Sequence, residues 1–259
     1  MRRVAALALA TIIATACGSS GLFRQYEYEE EMYLSLDGSA TVYVNASVAA
    51  LDALRGASFD TSPNALPDTM TVRELYSTPV TRVRSVTWSR RSNRRFVHVR
   101  LDVDDVRRLG AAGPFAWSTY GFERDGDVYR YRQTVGPAAE KDVGEVGWTG
   151  REIVAFRVHV PSKVRFHNTT LDNPKRGNIL VWEQSLDDRR HSQPLTLDAR
   201  MDPQSILYWT LQLFGATFAA VAVMFGLVIW WILRRGAPNT KDQGPQALGP
   251  ESTRGRTNE

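Results

Sequence analysis

The chain has a single cysteine, Cys17, among 259 residues, so no disulfide can close within it. Histidine is almost as scarce: His98, His159, His167 and His191 are the four. None is paired at i, i+4 and none lies near a cysteine, which leaves no zinc signature. No G-x-S-x-G elbow, phosphate-binding loop or dinucleotide glycine fingerprint occurs. The reading is therefore of a protein that is not an enzyme and carries no metal or cofactor. Lysine is sparse between Gly18 and Ser205, where Lys141, Lys163 and Lys175 are the only ones. That stretch has no excess of either charge, with 25 basic and 25 acidic residues. The net charge of +4 comes from the two ends, so it speaks of topology and not of nucleic acid.

Charge is missing altogether from Ser205 to Leu233, where Gln212 is the only strongly polar side chain. This run is long enough to cross a hydrocarbon core with some tilt, and a transmembrane helix is expected over 205–234. Tyr208 and Trp209 lie at one end and Trp230 and Trp231 at the other. Trp209 and Trp230 would be about 32 Å apart on a helix, so both pairs are expected at the membrane interfaces. Arg234 and Arg235 follow, which makes that end cytoplasmic by the positive-inside rule. The tail over 235–259 is rich in polar residues, Gly and Pro and is expected to be disordered.

At the N-terminus, Arg2-Arg3 precedes an apolar run too short to span. With the small residues Ala14-Thr15-Ala16 it reads as a signal peptide over 1–16. Ala14-Thr15-Ala16-Cys17 resembles the lipobox of bacterial lipoproteins, which implies lipidation at Cys17; ordinary cleavage after Ala16 is the alternative. Gly18-Ser19-Ser20-Gly21 opens a flexible tether, with the lipobox cysteine and tether taken as 17–27.

Between the anchors, 28–204 reads as one extracytoplasmic domain. Its class is α+β, mostly antiparallel sheet with short helices. Hairpins are expected at Tyr28–Leu36 with Thr41–Ala46, at Thr81–Ser89 with Phe96–Leu101, and at Trp117–Glu123 with Val128–Thr134. In the second hairpin, Val83, Thr87 and Ser89 would share one face, and residues 90–95 would form a basic turn. Helices are expected at Val48–Leu54, Thr71–Tyr76 and from Asp102 to Leu109, with strands alone after Gly150. Residues 136–150 read as irregular.

The order of signal, lipobox cysteine, Asp37-Gly38-Ser39-Ala40-Thr41-Val42 hairpin and helix resembles the LppM-type lipoproteins of mycobacteria. So does Val158-His159-Val160-Pro161-Ser162-Lys163-Val164, followed by Asn168, Leu180-Val181-Trp182 and a spanning helix. Ser162 stands where that family usually has Gly. The resemblance implies a membrane-tethered α+β domain with a lipid-binding role and no known catalysis.

The sharpest chemical feature is basic: Arg90, Arg91, Arg94 and Arg95 are candidates for contact with an anionic ligand through guanidinium–phosphate pairs. A solubilising turn is the favoured reading of them, since charged turns need no special cause. His159 and His167 could meet on adjacent strands, and Glu29-Glu30-Glu31 would alternate in direction along a strand. The small residues Gly215, Ala219, Ala222 and Gly226 would permit close helix contact, leaving the oligomeric state open.

The expectation is a module held at the bacterial inner membrane. It would bind membrane lipid, an envelope component or a protein partner, with its domain outside and its tail in the cytoplasm. The alternatives are an envelope enzyme with scattered catalytic residues and a signalling or assembly subunit working through the tail. A deep apolar cavity would favour a lipid, an exposed apolar patch a protein, and converging histidines or shifted carboxylates an enzyme.

Overall fold

The computed structural model describes residues 24–62, 64–66, 68–169 and 177–235, apart from the side chain of Trp209. The expected signal peptide, Cys17 and the polar tail from 236 lie outside those residues. The chain divides into two compact units, one ending at Tyr208 and the other beginning at Trp209.

The first unit has the expected α+β class. Strands β1 (Tyr26–Leu34) and β2 (Ala40–Ser47) form the first hairpin. Helix α1 (Val48–Arg55) follows at once, because the Ser47 side chain accepts from the Ala50 N–H at 3.0 Å and caps it. Gly56 ends it in the left-handed region at φ +71°, which glycine reaches without a Cβ clash. Helix α2 (Thr69–Tyr76) is capped by Asp68. Strands β3 (Thr81–Arg91) and β4 (Arg94–Val103) make the basic hairpin, and β5 (Ser118–Asp125) with β6 (Val128–Val135) the third. Then come β7 (Ile153–His159), β8 (Ser162–His167), β9 (Ile179–Ser185), α3 (Leu186–Arg190) and β10 (Leu195–Ser205).

The strands form two sheets, in the orders β3-β4-β2-β1-β7-β9 and β5-β6-β10-β8. Among the described residues, only β1 and β7 pair in parallel. One hydrophobic core takes in Val42, Val44 and Phe156 from the first sheet and Tyr131, Leu197 and Ala199 from the second. Asn168 ties the sheets: its Oδ1 accepts from Trp182 Nε1 and from the Asp198 N–H, both at 2.8 Å, while its Nδ2 donates to the Thr196 carbonyl. The Asn and Trp of the sequence motif thus meet in one cross-sheet bond.

Four local expectations change. The basic turn shrinks to Ser92-Asn93, both with positive φ, the backbone of a two-residue hairpin whose twist matches its strands. A bulge between Val83 and Ser85 inserts Arg84 as an extra residue. It reverses the alternation, so Val83 shares the inner face with Val86 and Trp88, while Thr87 and Ser89 face outward with Ser85. The helix expected from Asp102 is a 3-10 turn over Val106–Ala111, because Asp102 still belongs to β4 and Asp105 caps in its place. The region after Gly150 is not all strand: Ser185 caps the one-turn α3 by accepting from the Asp188 N–H.

The 30-residue helix α4 (Ile206–Arg235) is long and apolar enough to cross a membrane, and its apolar window is not buried against protein.

Candidate functional site

The hairpin tip is where the four candidate arginines sit, and each has intramolecular work. Arg90 donates to Asn64 Oδ1 at 3.3 Å and to Asn93 Oδ1 at 3.1 Å. Arg91 donates to the Tyr26 carbonyl at 2.7 Å and lies over the Phe96 ring. Arg95 donates to the carbonyls of Leu66 and Asp60 and stacks toward Trp88. Arg94 is the most enclosed, its side chain 10% exposed. It donates to the carbonyls of Val146 and Gly147, both at 3.1 Å, and pairs with the fully buried Glu27 at 3.0 Å. Trp148 Nε1 and Gln25 Nε2 complete the shell of Glu27. The planar fork of arginine suits this multiple donation to carbonyls. The tip therefore clamps the start of β1, the segment around 60–66 and the strand-free 136–152 segment to the sheet.

Between these clamped pieces lies a cleft of about 780 Å³. Its lining mixes polar and apolar groups: Arg24, Arg94 and Arg151 with Glu145, Glu152 and Asn93, and Val143, Val146 and Ile153 beside them. Arg24 also pairs with Glu183, and Glu152 accepts from the Thr149 N–H at 2.9 Å. The cleft offers hydrogen-bond donors and mixed charge. It is not a deep apolar cavity.

A second, smaller hollow of about 210 Å³ also borders the tip and the start of β1. Pairing puts Glu29 opposite Asn45 and Asn45 opposite His98, across β1, β2 and β4 on the outer face. Their side chains connect. Asn45 Nδ2 donates to Glu29 Oε2 at 3.2 Å, His98 Nδ1 lies 2.9 Å from Asn45 Oδ1, and His98 Nε2 lies 2.7 Å from Ser89 Oγ. Glu29 is further held by Arg157. Burial lowers the pKa of His98, the charge of Arg91 lowers it further, and Glu29 opposes both.

Elsewhere on this face His159 Nε2 meets Glu31 Oε1 at 2.6 Å and its ring stacks on Tyr33 at 3.9 Å. That hydrogen bond is the main reason the Glu31 pKa is lowered. His159 and His167 do not share a site: they lie on different sheets, and His167 Nδ1 contacts Thr169 Oγ1. Glu30, between two outward glutamates, points into the core as the alternation requires. It accepts from the hydroxyls of Tyr28 and Tyr120 and from Gln133 Nε2 at 3.0 to 3.2 Å. Arg55 stands 3.7 Å away, its guanidinium 3.9 Å from the Trp117 ring centroid and ringed also by Tyr28 and Phe115. Burial raises the Glu30 pKa against the pull of Arg55 and the three hydrogen bonds.

The interface candidates Tyr208, Trp230 and Trp231 are exposed on α4. Arg234 lies over the Trp230 ring at 5.1 Å and Arg235 over Trp231 at 4.1 Å. The side chain of Trp209 lies outside the described residues, as does Cys17.

No protein-family model matches the sequence, and no curated protein does. Among solved structures, the chain is similar to the NMR structure of the folded domain of LppM from Mycobacterium tuberculosis. Identity is 15% and the TM-score 0.38, over 71% of this chain and 95% of that one.

Proposed function

We propose that the chain is a membrane-tethered module of the bacterial envelope whose β-rich domain binds a polar, phosphate-bearing ligand in the cleft beside the β3–β4 tip. The carrying observation is that cleft: its 780 Å³ falls within the usual range for ligand sites, and arginines from three segments converge on it. The arginines and the mixed charge of the lining suit a headgroup or phosphorylated sugar. Outside α4, the large apolar side chains that stand exposed among the described residues are Tyr33, Leu66, Met70 and Phe166. Singly exposed apolar residues need no partner, so a protein-docking face has less support. Helix α4 supplies the tether, with its aromatic and arginine pairs at the end read as cytoplasmic.

The test is calorimetric titration of the full chain in detergent micelles with glycerol 3-phosphate, and with maltose as a neutral polyol. Glycerol 3-phosphate should bind and maltose should not. Arg151→Ala should weaken the phosphate affinity by about tenfold, the scale of one charge-assisted hydrogen bond. Equal binding of both compounds, or of neither, contradicts the reading.

A further inference from the structure

We infer that Ser89, His98 and Asn45 form an acyl-transfer site on the outer face of the six-stranded sheet, with Ser89 as nucleophile toward esters of short acyl groups. The hydrogen bonds fix their own directions. Arg157 can only donate, and the Glu29 carboxylate can only accept. The atom of Asn45 facing Glu29 is therefore its NH2, which turns Oδ1 toward His98. An amide oxygen only accepts, so His98 Nδ1 carries the hydrogen. In the neutral ring, Nε2 then presents its lone pair to Ser89 at 2.7 Å. Every donor is set by the one before it, and the chain ends on a serine hydroxyl aligned with a base. This is the arrangement of a nucleophile, a base and an orienting group. The depressed pKa of His98 keeps the ring neutral near pH 7.

The same hollow holds Arg91, Tyr26 and Phe96. One of the five guanidinium N–H groups of Arg91 goes to the Tyr26 carbonyl. Its charge lines the same hollow as Ser89, where it would stabilise a developing oxyanion. At about 210 Å³ the hollow falls below the usual size for ligand sites, which limits the acyl group to one near acetyl in size. In the reaction, Ser89 Oγ bonds to the ester carbonyl carbon as its proton passes to His98 Nε2. The C–O bond to the leaving alcohol then breaks, and the alcohol takes that proton. Water, deprotonated by His98, attacks the acyl-serine and releases the acid, while the proton returns to Ser89 Oγ. The balance is ester plus water to acid plus alcohol. Asn45 is a positioning residue, acting through His98.

Ser85 provides an internal control. It is exposed on the same strand and the same face and stands opposite Arg100, whereas it is the Ser89 hydroxyl that meets His98 Nε2. The full chain in detergent micelles is treated with 4-nitrophenyl acetate, and acetylation of Ser85 and Ser89 is resolved by fragmentation of the tryptic peptide that carries both. Ser89 should acetylate about 100-fold faster than Ser85, the scale of a positioned general base, and His98→Gln should bring it down to the Ser85 rate. The wild-type rate should rise with pH to a plateau with its midpoint below 6.5, the ordinary histidine value. Asn45→Asp, which sets a carboxylate against Nδ1, should move that midpoint upward. Equal acetylation of the two serines in the wild type overturns the inference without recourse to any variant. So does an unchanged rate at Ser89 in His98→Gln.

Discussion

A carboxylate and a guanidinium share the core of the first unit, and they are not equally satisfied. Glu30 is 2% exposed and takes three hydrogen bonds. The Arg55 side chain is 4% exposed, and its three nitrogens find no hydrogen-bond partner among the described residues, leaving aromatic faces as its main contact. Cation–π contact offsets part of the desolvation of such a charge, but a buried pair seldom gains what two ions lose on leaving water. At Glu30 burial outweighs Arg55, so the folded state holds its proton more tightly than the unfolded chain does. That contribution to stability is complete below the ordinary glutamate value of 4.5 and is lost as pH rises through the higher folded value. Thermal unfolding of wild type and Glu30→Gln across this window should show the balance moving toward the variant as pH rises, by about 1.4 kcal/mol for each unit of pKa elevation. A constant difference would contradict it. Glu31, the next residue on the same strand and facing outward, has the opposite sign: its lowered pKa adds stability that is lost as pH falls through its folded value.

Strand and turn elements depend on a few close approaches. A Cβ at Gly136, just after β6, would lie 2.6 Å from the Trp117 carbonyl oxygen. The Gly136 N–H donates to that oxygen, and the Gly136 carbonyl accepts from the buried Arg189. The obstacle is backbone and cannot swing away. Gly136→Ala should therefore cost about 2 kcal/mol, seen as a fall in Tm; an unchanged Tm would mean that β5 and β6 can part there freely. The hairpins around Asp37-Gly38-Ser39 and Asp125-Gly126 were legible because turn residues and period-two alternation agree. The β3 face was not, since one bulged residue, Arg84, moves every later side chain to the other face. The relay was hidden for a related reason. Residues 29, 45, 89 and 98 make no motif along the chain, and only the registers β1–β2 and β2–β4, with the bulge in β3, set them side by side. The arginines of the tip were visible as charge, but their partners are mostly backbone carbonyls of segments far away in sequence, which composition does not reveal. The Glu30–Arg55 pair was equally hidden, because alternation shows that Glu30 turns inward and says nothing of what it meets.

In the whole molecule, a folded β-rich unit is followed along the chain by an apolar helix of 30 residues. Tyr208, Trp230 and Trp231 are exposed along it, and Arg234 and Arg235 close its last turn. A helix of this composition finds its free-energy minimum with its middle in hydrocarbon and its aromatic and arginine ends at the headgroups. On the function proposed above, the charge asymmetry would put the β-rich unit outside and the residues after 235 inside. Single cysteines introduced into a Cys17→Ala chain test this directly in intact bacterial cells with a membrane-impermeant maleimide. Asp104→Cys reports on the β-rich unit, at a side chain that is 78% exposed, and Ser252→Cys on the C-terminal tail. The cysteine at 104 should be labelled in intact cells and the one at 252 only after lysis. Labelling at 252 in intact cells, with 104 protected until lysis, would contradict it.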